Sequence, residues 1–321
     1  MTAIIPNNKK VILVGDGAVG SAYAFSLVNQ GIGNELGIID VDKRRTEGDA
    51  LDLKHALPFL SPMKVYSADY SDCGDADVIC ITAGTAQKPG ETRLELVSRN
   101  LRILKSILGE IMKTDFNGIF LIAANPVDIL SYATMKWTGF PPERVIGSGT
   151  SLDTARLRQT VAELIDVEAG SVHGYVLGEH GDSEFIAWSN IRIGNLPIES
   201  WTGPLDAEKK EAVLAKVRDA AYYIIERKGA TAYGVASALA RITRVILNNE
   251  NAVLPLSVYM DGSNYGLNDV YVGTPAVLGA NGVVKIAEVP LNEEEQKAME
   301  NSAGVLREIL DDSFIPIDNE K

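Results

Sequence analysis

Residues 10–20 read Lys10-Val11-Ile12-Leu13-Val14-Gly15-Asp16-Gly17-Ala18-Val19-Gly20. A short apolar run, a strand candidate, enters a Gly-x-Gly-x-x-Gly turn, and a helical pattern over Val19–Gln30 follows. Glycines at Gly15, Gly17 and Gly20 permit a tight turn and close approach of the backbone to a pyrophosphate. The helix N-terminus adds free N–H groups and a favourable dipole. Such a motif is common by chance; its placement between strand and helix is not. Asp40 follows Gly20 by 20 residues, at the end of a second predicted strand, which is where a dinucleotide site keeps its ribose-binding carboxylate. A carboxylate there accepts from both ribose hydroxyls and repels a 2′-phosphate, so NAD is expected rather than NADP. Arg44 and Arg45 lie close by and would weaken that discrimination. The competing reading is an ordinary glycine turn with Asp40 as a loop carboxylate.

Outward from this turn, strand candidates recur at Lys10–Val14, Leu36–Asp40, Lys64–Ser67, Val78–Thr82, Ile119–Ala124 and Val145–Gly147, with helical stretches such as Glu91–Lys113 between them. Apolar strands alternating with helices predict a parallel sheet covered on both faces. The strands finish on polar or small residues, where open α/β sheets bind ligands. After Gly147 the rhythm changes. A helix over Ser151–Leu164 precedes strand-like stretches at Val172–Leu177, Glu184–Trp188 and Asn190–Ile193. Helices at Asp206–Lys228 and Ala230–Asn248 follow, then strands at Ala252–Met260, Tyr271–Leu278 and Gly282–Ile286, and a charged helix over Asn292–Asp311. The expected fold is α/β: a Rossmann-type doubly wound parallel sheet over residues 1–147, followed by an α+β substrate domain over 148–321.

The 321 residues carry 30 Lys+Arg against 43 Asp+Glu, a net charge of -13. Nucleic acid and anionic membranes need a broad basic face and are excluded as main partners. A chain this long can bury about three-quarters of its surface, so it needs no disulfide or metal staple. Cys73 and Cys80 have no zinc-ligand spacing and read as small residues of a reduced cytosolic protein; no metal is expected. The N-terminus has no long apolar run of a secretory signal, and no stretch approaches the ~20 residues that span a bilayer. Imidazole chemistry must use His55, His173 or His180, the only histidines.

Four further segments carry chemistry: Gly84–Arg93 (GTAQKPGETR), Asn125-Pro126-Val127-Asp128, Asp153-Thr154-Ala155-Arg156 and Gly178-Glu179-His180-Gly181-Asp182. With the glycine loop they resemble the lactate/malate dehydrogenase family along nearly the whole chain, in order and spacing. Reducing a 2-keto acid needs a hydride donor, a proton donor to the ketone oxygen and an anchor for the carboxylate. A proton donor that changes state near neutral pH suits histidine. The resemblance makes His180 that acid/base, where a lone histidine would more often be structural. Asp153 and Arg156 are three apart on a predicted helix, where the bland reading is a surface ion pair of a few tenths of a kcal/mol. The resemblance gives them separate tasks: Asp153 orients and charges His180, and Arg156 grips the substrate carboxylate with a planar fork. It also has the Gly84–Arg93 loop fold over the substrate, Arg93 polarising the carbonyl in a water-excluded site. Asn125 hydrogen-bonds the substrate oxygen, and Thr231 matches a position near the substrate, though by itself Thr231 reads as a helix-start residue. Cofactor contacts are implied for Gly15, Gly17, Val19, Gly20, Asp40, Arg45, Tyr70, Gly84 and Asn125.

Within the family Gln87 separates two activities. The malate-acting members carry an arginine there for the second carboxylate of oxaloacetate. Neutral Gln87 would leave that charge unpaired in a closed site, whereas the methyl of pyruvate fits. The expected reaction is therefore reversible NADH-dependent reduction of pyruvate to lactate, and the resemblance implies the L isomer. Arg158 stands about 200° around the helix from Arg156 and serves another ligand or none. Arg158 and His173 match positions that bind fructose 1,6-bisphosphate across a subunit interface in allosteric family members, and the resemblance further implies a cytoplasmic homotetramer. His55 matches nothing and reads as a surface residue. The alternatives are a malate or broad 2-hydroxy-acid dehydrogenase, or a non-catalytic nucleotide-binding protein. Loss of His180, Arg156 or Arg93 would mark the last of these, and all three are present.

Overall fold

In a computed structural model, residues 8–85 and 93–314 are described. The chain runs β1 (Lys10–Val14), α1 (Ala18–Gln30), β2 (Glu35–Ile39), α2 (Lys43–Ala56), β3 (Lys64–Ser67), β4 (Val78–Ile81), α3 (Arg93–Ile111), β5 (Ile119–Ile122), α4 (Val127–Thr138), β6 (Val145–Gly147) and α5 (Ser151–Ile165). Then come β7 (Val172–His173), β8 (Val176–Leu177), β9 (Phe185–Ile186), β10 (Arg192–Ile193), β11 (Leu196–Pro197), α6 (Glu199–Thr202), α7 (Ala207–Lys228), α8 (Tyr233–Asn248), β12 (Ala252–Asp261), β13 (Asn268–Gly279), β14 (Gly282–Ile286) and α9 (Glu293–Ser313).

The apolar strands β1, β4 and β5 are buried along their whole length, as both-face coverage by helices requires. Strands β3-β2-β1-β4-β5-β6 lie side by side and parallel, so the chain reverses direction across the sheet between β1 and β4. That reversal is the switch point where doubly wound sheets bind ligands. Beyond β6 the sheet continues. Strand β12 docks antiparallel with Ser257 opposite Gly147, and β13 and β14 extend it to nine strands. One apolar core follows this sheet through both halves of the chain. A smaller core, including Leu157, Val161, Val172, Ile186 and Val217, lies among α5, α7 and the short strands.

Two expectations change. Val172–Leu177 is not one strand: β7 pairs with β10 and β8 with β9, so the chain leaves one small sheet for another at Gly174-Tyr175. Gly174 sits against Ile191, where a Cβ would lie 3.0 Å from its side chain. Gly229 closes α7 in the left-handed region (φ 83°), and the helix expected from Ala230 begins only at Tyr233, with Ala232 (φ -143°, ψ -54°) as its non-helical N-cap. Thr231 precedes the N-cap residue Ala232 and is not a helix-start residue. Among the described residues no helix is long and apolar enough to cross a membrane.

Candidate active site

The carboxyl ends of the parallel strands bring the sequence motifs to one edge. Strand β1 delivers Gly15, β2 Asp40, β4 Gly84, β5 Asn125, and β6 the segment leading into α5, which carries Asp153 in its first turn. Gly15 has φ 106°, and a Cβ there would stand 2.4 Å from the backbone nitrogen of Ala83, so only glycine lets the loops after β1 and β4 cross. Gly17, the N-cap of α1, differs. Among the described residues a Cβ there would meet no atom within 4 Å, and no side chain caps the helix. The open space and uncapped N–H groups fit a bound pyrophosphate. Asp40 is held beside this loop: Oδ2 accepts from the Asp16 amide at 2.7 Å and Oδ1 from that of Asp42 at 3.0 Å. A carboxylate has about four acceptor positions, so capacity for ribose hydroxyls remains. Val19 is half-buried in the first turn of α1, Gly20 is buried beside it, and Tyr70 is half-buried just after β3. These residues fit NAD.

His180 follows β8 in a loop fixed by backbone contacts on three sides. Gly178 exchanges two backbone hydrogen bonds with Gly273 of β13, at 3.0 and 2.7 Å. The Glu179 amide donates to Ser302 Oγ at 2.6 Å, and the His180 amide donates to Asp128 Oδ2 at 2.9 Å. Asp128 is buried in the first turn of α4 and accepts from Ser257 Oγ at 2.5 Å. The imidazole is thereby positioned with Nδ1 2.6 Å from Asp153 Oδ2. Asp153 Oδ1 accepts from Arg156 Nη1 at 2.9 Å. The ion pair expected on a helix surface thus exists but is sunk in the fold, with side-chain exposures of 2% for Asp153 and 14% for Arg156. One carboxylate bridges the histidine and the arginine.

Charge follows geometry. Burial alone would raise the Asp153 pKa, but the attraction and hydrogen bond of His180, and then Arg156, bring it below the usual carboxylate range. Asp153 in turn lifts His180 to about 9 against the opposing desolvation. With Nδ1 donating to Asp153, Nε2 is the nitrogen that exchanges a proton with a ligand. At neutral pH the ring is a charged proton donor.

Gln87 lies outside the described residues. Arg93 is the first residue of α3, and its side chain is likewise outside what is described. Gly84 is exposed, and Asn125 is exposed at the start of the cis Asn125–Pro126 bond. Sequence reasoning missed Asn100, buried on α3. Its Nδ2 donates to the carbonyls of Asn125 (2.7 Å) and Thr85 (3.2 Å), and its Oδ1 accepts from the Thr85 amide (3.0 Å). It gave no role to Asp128, the last residue of the Asn125–Asp128 segment, and it missed Glu184, buried beside Asp153 and His180. Asp16 is a fourth. Fully buried, its oxygens find no donor among the described residues, and Arg45 Nε stops 3.9 Å away. Burial and then the neighbouring Asp49 push it up to about 7.

Arg158 and His173 occupy a separate place. His173 is exposed on β7, and the Arg158 guanidinium lies 5.8 Å from the centroid of the Tyr175 ring, two residues further along. The Arg158 Nε is buried without a partner among the described residues. His55 is exposed at the end of α2.

Residues 9–147 match the NAD-binding domain of lactate/malate dehydrogenase, and residues 150–315 match the alpha/beta C-terminal domain of the same enzymes. Over 312 residues the chain is 61% identical to L-lactate dehydrogenase 1 of Listeria monocytogenes, spanning 97% of this chain and 99% of that one. It is 60% identical to the L-lactate dehydrogenase of Lacticaseibacillus casei over 318 residues, 98% and 97% of the two chains. Among solved structures, a lactate dehydrogenase from a Medee basin deep-sea metagenome library superposes with a TM-score of 0.92 at 50% identity, covering 96% of this chain and 99% of that one. The ligand-bound minor L-lactate dehydrogenase of Enterococcus mundtii gives 0.92 at 42% identity, covering 98% and 99%.

Proposed function

Because the chain belongs to the lactate/malate dehydrogenase family, we propose that it catalyses the reversible NADH-dependent reduction of pyruvate to L-lactate. The observation that carries this reading is the Asp153 carboxylate shared by His180 and Arg156, at the sheet edge that also holds the glycine loop. When held by the glycine loop and Asp40, NADH would supply the hydride that C2 of pyruvate accepts. As negative charge develops on the ketone oxygen, protonated His180 donates its Nε2 proton and is left neutral, still bonded to Asp153. Arg156 spends one of its five N–H groups on Asp153 and directs others at the pyruvate carboxylate. Arg93 polarises the carbonyl, Asn125 binds its oxygen, and Thr231 borders the substrate. Residues 1–147 form the NAD-binding domain, with contacts from Gly15, Gly17, Val19, Gly20, Asp40, Arg45, Tyr70, Gly84 and Asn125, and residues 148–321 form the catalytic domain. A pyruvate/NADH assay of His180→Asn tests the core of this: turnover should fall by about 10²–10⁴, and unchanged turnover would overturn it.

Gln87 selects pyruvate over oxaloacetate by leaving a second carboxylate without a partner. A higher kcat/KM for oxaloacetate than for pyruvate would refute that role. Regulation rests on Arg158 and His173. In a homotetramer, like-charged pairs facing across a two-fold axis repel, and fructose 1,6-bisphosphate bridging them would favour the active assembly. The buried Nε of Arg158, without a partner among the described residues, supports an anion site. Exposed Phe25, Leu51, Tyr222, Tyr223 and Tyr233 support burial against further copies of the chain. The sugar bisphosphate should raise the rate at low pyruvate in the wild type and leave Arg158→Gln/His173→Ala unaffected. Light scattering should report a tetramer. Two buried free cysteines accord with a cytoplasmic location.

A further inference from the structure

Glu184 is used by no step above. Its amide bonds back to the Gly181 carbonyl at 3.2 Å, so the chain after His180 turns and returns the Glu184 side chain toward the same pocket. The residue is 5% exposed, and its Oε1 has no donor among the described residues. A Glu184 carboxyl oxygen, an Asp153 oxygen and a ring nitrogen of His180 all lie within 4.8 Å of one another. We propose that Glu184 is a positioning residue of the acid/base pair: a second buried carboxyl that is neutral when His180 works as a proton donor near pH 7 and, once ionised, holds the proton on the imidazole. The proposal rests on the assignment of His180 as the acid/base.

Two carboxylates in one dry pocket cannot both ionise without cost, and they titrate as a unit with the imidazole between them. Asp153 takes the charge because it has both bonded partners; Glu184 has none on Oε1. Burial first, and the charge of Asp153 second, push Glu184 up to about 8. Opposing them are His180, Arg156 on the same helix as Asp153, and Arg218 of α7. The charge of Asp128 on α4 also favours protonated His180, and from α9 the neutral Ser302 meets Ser183 at 3.0 Å. When the Glu184 proton leaves, its charge adds to that of Asp153 on the imidazolium. Reduction of pyruvate, which needs the protonated ring, then persists to higher pH. Oxidation of lactate, which needs a free Nε2, begins later.

Glu184→Gln keeps the shape and removes the ionisation. In the holoenzyme, the alkaline limb of kcat/KM for pyruvate should move to lower pH by about half a unit to one unit. The limb for lactate oxidation should move equally, with the plateau near pH 6 unchanged. Glu184→Asp should restore part of the shift. A residue that only fills space would lower the plateau and leave the limbs in place, and that result overturns the proposal. A second readout is independent of turnover. With three histidines in the chain, the ¹⁵N signals of His180 can be followed in the wild-type enzyme with NADH. A biphasic titration is expected; a single step overturns the coupling. Failure of the functional reading is distinguishable, since it would show as no pyruvate turnover in the wild type at any pH.

Discussion

Asp16 and Asp153 are both buried carboxyls, one in the glycine loop and one in the catalytic pocket. Burial penalises their charged forms alike, yet one is pushed up to about 7 and the other is held below the usual range. Asp153 has an imidazole at 2.6 Å and a guanidinium at 2.9 Å. Asp16 has a carboxylate neighbour in Asp49 and an arginine that stops 3.9 Å short. Partners, not depth, decide which acid is charged at neutral pH. The contrast suits the two ends: a dianionic pyrophosphate is better met by a neutral acid, and an acid/base histidine by a charged one.

Asp153→Asn, which removes the charge and keeps the shape, should have the largest effect. The kcat for pyruvate should fall by about 10²–10⁴, and residual activity should retreat to lower pH as the imidazole loses the charge that holds its proton; a normal alkaline limb in steady-state rates would contradict it. Arg156→Lys comes next. It keeps the positive charge but loses the planar fork, so KM for pyruvate should rise by about 10²-fold with a smaller change in kcat, and an unchanged KM would free Arg156 from the substrate role.

Asp16→Asn should have the smallest effect, and on stability. In the wild type the unfolded carboxyl ionises at the usual 3.8 while the folded one resists until about 7. The folded state therefore loses stability as pH rises through that window and is penalised fully above it. The variant escapes this loss and should be more stable than wild type by about 1–3 kcal/mol at pH 8, with no advantage at pH 4. Urea melts at the two pH values measure it, and equal differences at both would mean that Asp16 is not a strained acid.

What the sequence revealed was local. Strands β1 to β6 announced themselves as short apolar runs, and the glycine loop, Asp40, Asp153, Arg156 and His180 each sat in a recognisable neighbourhood. Asn100 and Glu184 did not, because their importance comes from contacts with Thr85 and Asn125 and with Asp153; Asp128 lay in a recognisable segment, but its task comes from contacts with Ser257 and His180. No periodicity marks a polar residue whose partner is 129 positions away, as Ser257 is from Asp128. The division of Val172–Leu177 between two small sheets was hidden for the same reason: an apolar run states that a strand can form, not with whom it pairs.

The pairing of Ser257 with Gly147 closes the open side of the parallel sheet. A fragment ending at residue 147 would keep the whole glycine loop but leave β6 as a bare apolar edge, with Val145 and Ile146 beside unpaired amides. Such edges recruit other strands. The isolated nucleotide-binding half should therefore precipitate or self-associate, and a β12-like peptide supplied in trans should keep it in solution.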